Sequence, residues 1–194
     1  MIVVDIETSG WDPYKHGLLS IGALNFDNPE NTFYGECSLR SDALCDASAT
    51  AVNGFSEDMM RDTKKDSEVV LLQRFVDWSQ DVHNKTLAGH NVGYFDANFL
   101  RVTFERHNIT WPFYRRTVDL HSVAYAFMMQ HGTQPQLGEN KVSALSLDAV
   151  LEYLGLPKEP KPHNALNGAK YEAEALARLP LSKNLLSEFS QYPL

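Results

Sequence analysis

The first segment of the chain has the two-residue period of a β-strand. The run from Ile2 to Gly10 is apolar, ends at a glycine, and alternates Val4 and Ile6 with Asp5 and Glu7. Side chains alternate between the two faces of a strand, so the apolar pair is predicted to face the core. The two carboxylates then project to the same side, about 6 to 7 Å apart.

The pattern of apolar and polar positions also predicts the remaining helices and strands. Two more strands, Leu18–Phe26 and Asn31–Leu39, flank a turn at residues 27–30 and predict an antiparallel hairpin. Later apolar spacings of three and four predict helices with short strands between them. Three early strands followed by alternating helices and strands predict an α/β sandwich around a mixed sheet. The other predicted elements are short helices at Ser48–Asn53 and Glu57–Arg61, a helix at Ser67–Val82 capped by Ser67, a strand at Thr86–Asn91, a helix at Asp96–Arg106, a strand at Thr117–Leu120 with a helix on to Met129, and helices at Leu147–Leu154 and about Asn164–Leu179.

Composition places the chain among globular proteins. It has 194 residues, 43% of them hydrophobic, which is enough for one domain over residues 1–194. No basic, apolar and small-residue succession typical of an export signal is seen at the start, and no apolar run has the length of a membrane helix. Cys37 and Cys45 lack metal-ligand spacing, so free thiols and a cytoplasmic location are expected.

The net charge of −8 argues against a protein that coats long nucleic acid through a broad basic face. It leaves room for an enzyme with a cleft, in which bound metal ions cancel acidic charge where a phosphate lies. Dispersed basic residues are then either solvated surface charges or guides for a short strand. They are Arg101, Arg106, Arg115, Arg116, Lys158, Lys161 and Lys170.

The two carboxylates of the first strand point to a metal site. Asp5 and Glu7 repel each other at this spacing unless a cation lies between them. A hard divalent ion such as Mg²⁺ or Mn²⁺ takes oxygen ligands and relieves that repulsion. The alternative is an ordinary strand end with two solvated acids.

Two later segments add candidate chemistry. Asp96 follows a glycine-punctuated turn and begins a helix, where it either caps the helix or faces a site. His163 follows the proline-rich connector 157–162 at the start of the last helix. It is either structural or available as a general base.

Together these segments resemble the DEDDh family of 3′ to 5′ exonucleases, the superfamily of the proofreading subunit of bacterial DNA polymerase III, RNase T and oligoribonuclease. The resemblance extends from Ile2 to about Leu179 and implies an RNase H-like fold, with a mixed central sheet and helices on both faces. The matching segments are Asp5–Gly10 for the first motif, His90–Leu100 for the second, Ser146–Leu156 for the penultimate helix, and His163–Leu166 for the start of the third motif.

The resemblance implies hydrolysis of phosphodiester bonds at a 3′ end with two divalent ions, Mg²⁺ or Mn²⁺. Asp5 would bridge the ions, Glu7 would bind the ion that activates water, and Asp96 would support the ion near the leaving 3′ oxygen. His163 would take the proton of the attacking water.

The resemblance also implies where a substrate binds. The partner would be the 3′ end of a single-stranded nucleic acid, and a homodimer is compatible with the family. The backbone around Thr8, Ser9 and Gly10 would hold the terminal nucleotide, with Asn91 and Phe95 nearby and residues 51–55 as a further wall of the cleft.

One position departs from the family. Its fourth carboxylate, an aspartate five residues after the histidine, corresponds here to Gly168. Glu172 lies on the same helix face but about 6 Å further along the axis, beyond direct reach. Three interpretations remain open: an active exonuclease, impaired or not by the lost ligand; a catalytically inactive module that binds nucleic acid ends or a protein partner; and an active enzyme inactivated by an engineered change from Asp to Gly.

Overall fold

The computed structural model of the protein describes residues 1–194 and contains one five-stranded sheet. Its strands are β1 (Ile2–Thr8), β2 (Leu18–Asn25), β3 (Asn28–Glu36), β4 (Leu87–Gly89) and β5 (Thr117–Asp119). They lie in the order β3-β2-β1-β4-β5. The first three strands pair antiparallel, whereas β1, β4 and β5 pair parallel. The predicted mixed sheet is confirmed.

Seven α-helices and a final 3₁₀ turn at Ser187–Phe189 complete the chain. Ser67 caps the third helix through Val70 N–H, as its sequence position predicts. The helices are α1 (Ala47–Asn53), α2 (Glu57–Met60), α3 (Glu68–Gln80), α4 (Asp96–Arg106), α5 (Leu120–Gln130), α6 (Leu147–Tyr153) and α7 (Ala165–Leu181).

Two details of the sequence prediction are wrong. The β2–β3 turn is the two-residue pair Phe26–Asp27, because Asn25 pairs with Asn28. Pro29 therefore lies in β3, where the sheet edge tolerates its missing N–H. The apolar spacing of α3 predicts Val70 on the buried stripe of the helix, but Val70 is exposed and Leu72 is buried instead.

Helices cover both faces of the sheet, and each face has its own apolar core. Val4 and Ile6 of β1 pack with α3 and α4 on one face, in a cluster that includes Phe75 and Phe99. Val3 points to the opposite face, where α5, α6 and α7 pack. The two-residue period of β1 therefore places Asp5 and Glu7 on the α7 side.

The sheet opens where β1 is longer than β4. Only Ile2 and Val3 of β1 pair with β4, so the rest of β1 has a free edge on that side. Asp96 at the start of α4 fills part of this gap by accepting a hydrogen bond from Ile6 N–H at 3.2 Å. This opening is where a cleft forms.

Helix α7 lies against β1 and β2. A Cβ placed on Gly22 of β2 would lie 2.1 Å from the backbone of Ala165 and Leu166, so a glycine is required for this close approach. None of the helices combines the length and apolarity needed to cross a bilayer.

The contact between β2 and α7 predicts a destabilised Gly22→Ala variant. The added methyl group must push the start of α7 away from the sheet, at a cost of about 1 to 3 kcal/mol. Thermal unfolding should show a melting temperature lower by several degrees, about 2 to 4 °C per kcal/mol for a chain of this size. Gly138→Ala is the matched control, because a Cβ there meets nothing closer than 3.8 Å. Equal melting temperatures for the two variants would contradict the packing described.

Candidate active site

A cleft with a volume of about 880 Å³ opens at the carboxyl ends of β1 and β4. His163 lies in its wall, and neither Lys nor Arg does. The cleft is therefore strongly acidic, and the basic residues that the sequence suggested as guides lie outside its wall. The carboxylate residues that line it are Asp5, Glu7, Asp96, Asp148, Glu159 and Glu172.

Both carboxylates of β1, Asp5 and Glu7, have raised pKa values. Glu7 is 8% exposed. Burial, and next the charge of Glu159, raise the pKa of Glu7 to about 8. Burial also raises the pKa of Asp5 well above its usual range, followed by the charges of Glu172, Asp96 and Glu7. A solvated strand end would not have these properties, so that alternative is wrong.

Asp96 is the first residue of α4 but does not cap it. The N-cap is Phe95, and no side-chain hydrogen bond caps the helix. The Asp96 carboxylate, 3% exposed, instead accepts the Ile6 N–H of β1. Burial raises its pKa to about 7, against the lowering effect of its backbone hydrogen bonds. Asp96 therefore joins the β1 carboxylates in the cleft.

His163 lies at the rim, beside a carboxylate that sequence reasoning had not singled out. Its backbone N–H donates to Val52 O at 3.1 Å, and its Nδ1 lies 3.6 Å from Oε2 of Glu159. Glu159 is buried, and its Oε1 accepts the N–H of Asn164, the N-cap of α7. The proline-rich connector thus holds a carboxylate next to the histidine ring. Burial raises the pKa of Glu159, and the charge of His163 partly offsets this.

Glu172 lies further inside the cleft than its helical spacing suggested. It is 4% exposed; its Oε1 accepts His90 N–H at 3.0 Å, and its Oε2 has no hydrogen-bond partner. Burial and then the charge of Asp96 raise its pKa well above the usual range. Only its helix position relative to Gly168 could have drawn attention to it, and nothing in the sequence placed Glu159 in the site.

Of the predicted substrate contacts, Thr8, Gly10, Asn91 and Phe95 line the cleft. The predicted substrate contact at Ser9 is corrected by the structure, because Ser9 is fully buried. Its hydroxyl donates to Leu44 O and accepts a hydrogen bond from Gly17 N–H. Its backbone N–H donates to Gly17 O, and its backbone carbonyl accepts a hydrogen bond from Asp46 N–H. It has no group left for a nucleotide.

The predicted outer wall of the cleft is present in part. Within residues 51–55, Val52 and Asn53 of α1 reach the cavity. Trp11, not singled out from the sequence, is 68% exposed and packs on Phe95 with 5.3 Å between the ring centroids. The rim therefore carries aromatic surface close to the carboxylates.

The donor chemistry of the cleft fits hard divalent ions. Carboxylate oxygens are the ligands that Mg²⁺ and Mn²⁺ prefer, and Glu172 Oε2 is a buried acceptor without a partner. As the side chains lie, no three Asp, Glu, His or Cys residues form a ready ligand set. Binding an ion therefore requires carboxylates to turn toward it.

The model of an exonuclease family, RNase T, matches residues 2–176. The PolC-type DNA polymerases III of Thermotoga petrophila and Thermotoga maritima are each 24% identical to the chain over 178 residues. Those matches cover 91% of this chain and 12% of each polymerase, so the chain spans about an eighth of these relatives.

Solved structures share the fold. The nuclease domain of 3′hExo, described as a DEDDh family member bound to rAMP, has a TM-score of 0.72 at 18% identity, covering 95% of this chain and 93% of that domain. Escherichia coli exonuclease I with a dT13 oligonucleotide has a TM-score of 0.71 at 18% identity, covering 91% of this chain and 40% of that one. The cell-death related nuclease CRN-4 has a TM-score of 0.72 at 16% identity, covering 94% and 64%. The RNase H-like fold implied by the sequence motifs is confirmed.

The raised pKa values predict that the metal-free protein is less stable at alkaline pH. The pKa of Glu7 is about 8 in the folded chain and 4.5 in the unfolded chain. The pKa of Asp96 is about 7 in the folded chain and 3.8 in the unfolded chain. Between pH 4.5 and about pH 8 the folded chain therefore binds more protons than the unfolded chain. Folding stability falls as the pH rises through this range. In EDTA, the melting temperature should be higher at pH 5.5 than at pH 8, by roughly 6 to 12 °C for a stability difference of about 3 kcal/mol.

The control for this pH dependence is the double variant Asp5→Asn, Glu7→Gln. It should narrow the difference between the two melting temperatures, because two of the titrating groups are gone. A metal-free protein that melts at the same or a higher temperature at pH 8 would contradict the arrangement of buried carboxylates.

Proposed function

The chain belongs to the exonuclease family described by the RNase T model, and we propose that it removes nucleotides from the 3′ end of single-stranded DNA or RNA in a reaction that depends on two divalent ions, Mg²⁺ or Mn²⁺. One observation carries the proposal: six carboxylate residues, and neither Lys nor Arg, line one cleft. A phosphodiester can approach such a surface only if cations neutralise it.

Asp5, Glu7 and Asp96 are the residues that would hold the ions. The family generally uses divalent ions, and such ions stabilise the charge that develops on the entering and departing oxygens of the phosphate. The strand spacing of Asp5 and Glu7 and the hydrogen bond from Ile6 N–H to Asp96 bring these three carboxylates to the cleft beside the opening between β1 and β4. The all-oxygen donor set favours Mg²⁺ or Mn²⁺ over ions that prefer nitrogen or sulfur.

His163 is the proposed general base. Its side chain is about one third exposed at the rim, where water can reach it. Glu159 lies beside Nδ1, which leaves Nε2 to accept the proton of an attacking water. The carboxylate also stabilises the imidazolium once the proton has been taken up.

The substrate side of the cleft suits an unpaired nucleic acid end. The backbone near Thr8 and Gly10, together with Asn91 and Phe95, lines the cavity that the terminal nucleotide would enter. The exposed indole of Trp11 beside Phe95 offers a flat apolar surface on which a base can stack. Exonuclease I in complex with a dT13 oligonucleotide shares this fold, which supports a single-stranded oligonucleotide as the ligand.

A second candidate function rests on Gly168. Without a carboxylate at this position, the chain has one acid fewer than the family pattern it resembles. In the alternative, the cleft binds nucleic acid 3′ ends, or the protein binds a partner, without hydrolysis.

The test incubates the purified protein with a 5′-labelled single-stranded oligonucleotide of DNA or RNA and Mg²⁺ or Mn²⁺. An exonuclease acting from the 3′ end produces a ladder of progressively shorter labelled products. Asp5→Asn should abolish the ladder, and Gly168→Asp should increase its rate because it restores the missing acid. An oligonucleotide blocked at its 3′ end by a phosphorothioate is the substrate control.

The two candidate functions give different results. A ladder from the unmodified chain that Asp5→Asn removes supports the exonuclease. A ladder only from Gly168→Asp, with unchanged oligonucleotide binding by the unmodified chain, supports the inactive module. If neither protein cleaves or binds any of these oligonucleotides, the exonuclease and the module that binds nucleic acid ends are both wrong.

The role of His163 can be separated from metal binding. His163→Ala should lower kcat by roughly 10²- to 10⁴-fold, the usual contribution of a general base, while the affinity for Mn²⁺ stays within about twofold. The activity profile against pH should also lose its lower limb. A variant that keeps full activity would exclude His163 as the base.

A further inference from the structure

The place of the missing aspartate is taken by another side chain of the cleft. A Cβ built on Gly168 would lie 2.1 Å from Oδ2 and 2.9 Å from Cγ of Asp5. The Asp5 carboxylate therefore lies against the bare backbone of α7, where a side chain at position 168 would exclude it. The observed position of Asp5 is therefore possible only because Gly168 has no side chain.

One turn further along α7, Glu172 lies between the sheet and the helix. A Cβ on Gly89, the last residue of β4, would lie 2.9 Å from Glu172 Oε2 and 2.9 Å from Val4 O. The Glu172 carboxylate therefore lies beside the end of β4 and the β1 residue that precedes Asp5. Its Oε1 is held by His90 N–H at 3.0 Å.

The second oxygen of Glu172 has no partner. Oε2 is buried and accepts no hydrogen bond, although a buried carboxylate oxygen normally finds a donor. No Lys or Arg lines the cleft that could supply one. An unpaired buried acceptor costs folding free energy, and a cation is the ligand that satisfies it.

We infer that Glu172 supplies the carboxylate that Gly168 lacks, so that Asp5 and Glu172 together hold a divalent ion in this cleft. The inference rests on the proposed function, since it assigns a further ligand to the same metal site. The axial offset of about 6 Å between positions 168 and 172 excludes Glu172 from a site built around the family's usual geometry. In this chain the Asp5 carboxylate lies against α7 at Gly168, one turn before Glu172 on the same helix.

The experiment measures Mn²⁺ binding by calorimetry, without substrate, for the unmodified protein and for Glu172→Gln. Glutamine keeps the shape and can still accept His90 N–H, so the backbone contact is retained. The dissociation constant for Mn²⁺ should rise at least about tenfold. Asp148→Asn is the matched control, because it removes one negative charge from the same cleft at a residue outside the proposed pair, and it should change the constant by less than about threefold.

The Gly168→Asp variant tests directly whether Glu172 substitutes for the missing acid. In Gly168→Asp the new side chain displaces Asp5 and provides the carboxylate itself, so Glu172→Gln added there should weaken Mn²⁺ binding by less than about threefold. Melting temperatures in EDTA at pH 8 give an independent readout. The melting temperature of Glu172→Gln should be no lower than that of the unmodified protein, because the substitution removes a buried unpaired charge. Added Mn²⁺ should raise the melting temperature of Glu172→Gln less than that of the unmodified protein.

Failure of this inference and failure of the proposed function are distinguishable. If Asp5→Asn weakens Mn²⁺ binding and Glu172→Gln does not, the metal site stands and the role of Glu172 is overturned. A Glu172→Gln protein that is less stable in EDTA and retains Mn²⁺ binding would likewise give Glu172 a structural role only. If neither Asp5→Asn nor Glu7→Gln changes Mn²⁺ binding, the proposed metal site itself is wrong.

Discussion

The architecture of this protein depends on burying several like charges in one place. A single unpaired carboxylate taken out of water costs several kcal/mol, and the cleft assembles them without Lys or Arg in its wall. The charge can be relieved in two ways: the acids take up protons, as their raised pKa values indicate, or divalent cations bind between them. Because protons and cations would compete for the same oxygens, metal binding by this cleft would depend on pH and would raise the folding stability.

Helix α7 brings this cleft together from the side opposite the α4 carboxylate. Its approach to the sheet is close because Gly22 faces the backbone of Ala165 and Gly168 faces Asp5 without an intervening side chain. The same helix begins at the Asn164 cap, directly after His163, and carries Glu172 one turn beyond Gly168. One packed element therefore sets the position of the histidine, the conformation of Asp5 and the depth of Glu172, so a change at any of these contacts reaches the others.

Much of the fold could be predicted from the sequence because its signals are local. The two-residue period of β1 places Asp5 and Glu7 on one face, and α4 has the predicted bounds Asp96–Arg106. The predictions that are wrong depend on contacts distant in the chain. The backbone at Ser9 was assigned to the substrate from a motif, whereas its N–H donates to Gly17 O and its carbonyl accepts Asp46 N–H. Glu159 stands in an irregular connector without periodicity, so only the folded chain shows that it lies beside His163.

Gly168 shows why counting motif residues is a poor guide to the state of a site. With no side chain at this position, the Asp5 carboxylate lies against α7, and Glu159 and Glu172 are among the acids that line the cleft. The cleft is therefore strongly acidic, while the geometry that would direct an ion to a water and a phosphate depends on the placement of Asp5 and Glu172. Catalytic competence in such a site is a matter of side-chain placement, and its electrostatic potential alone does not determine it.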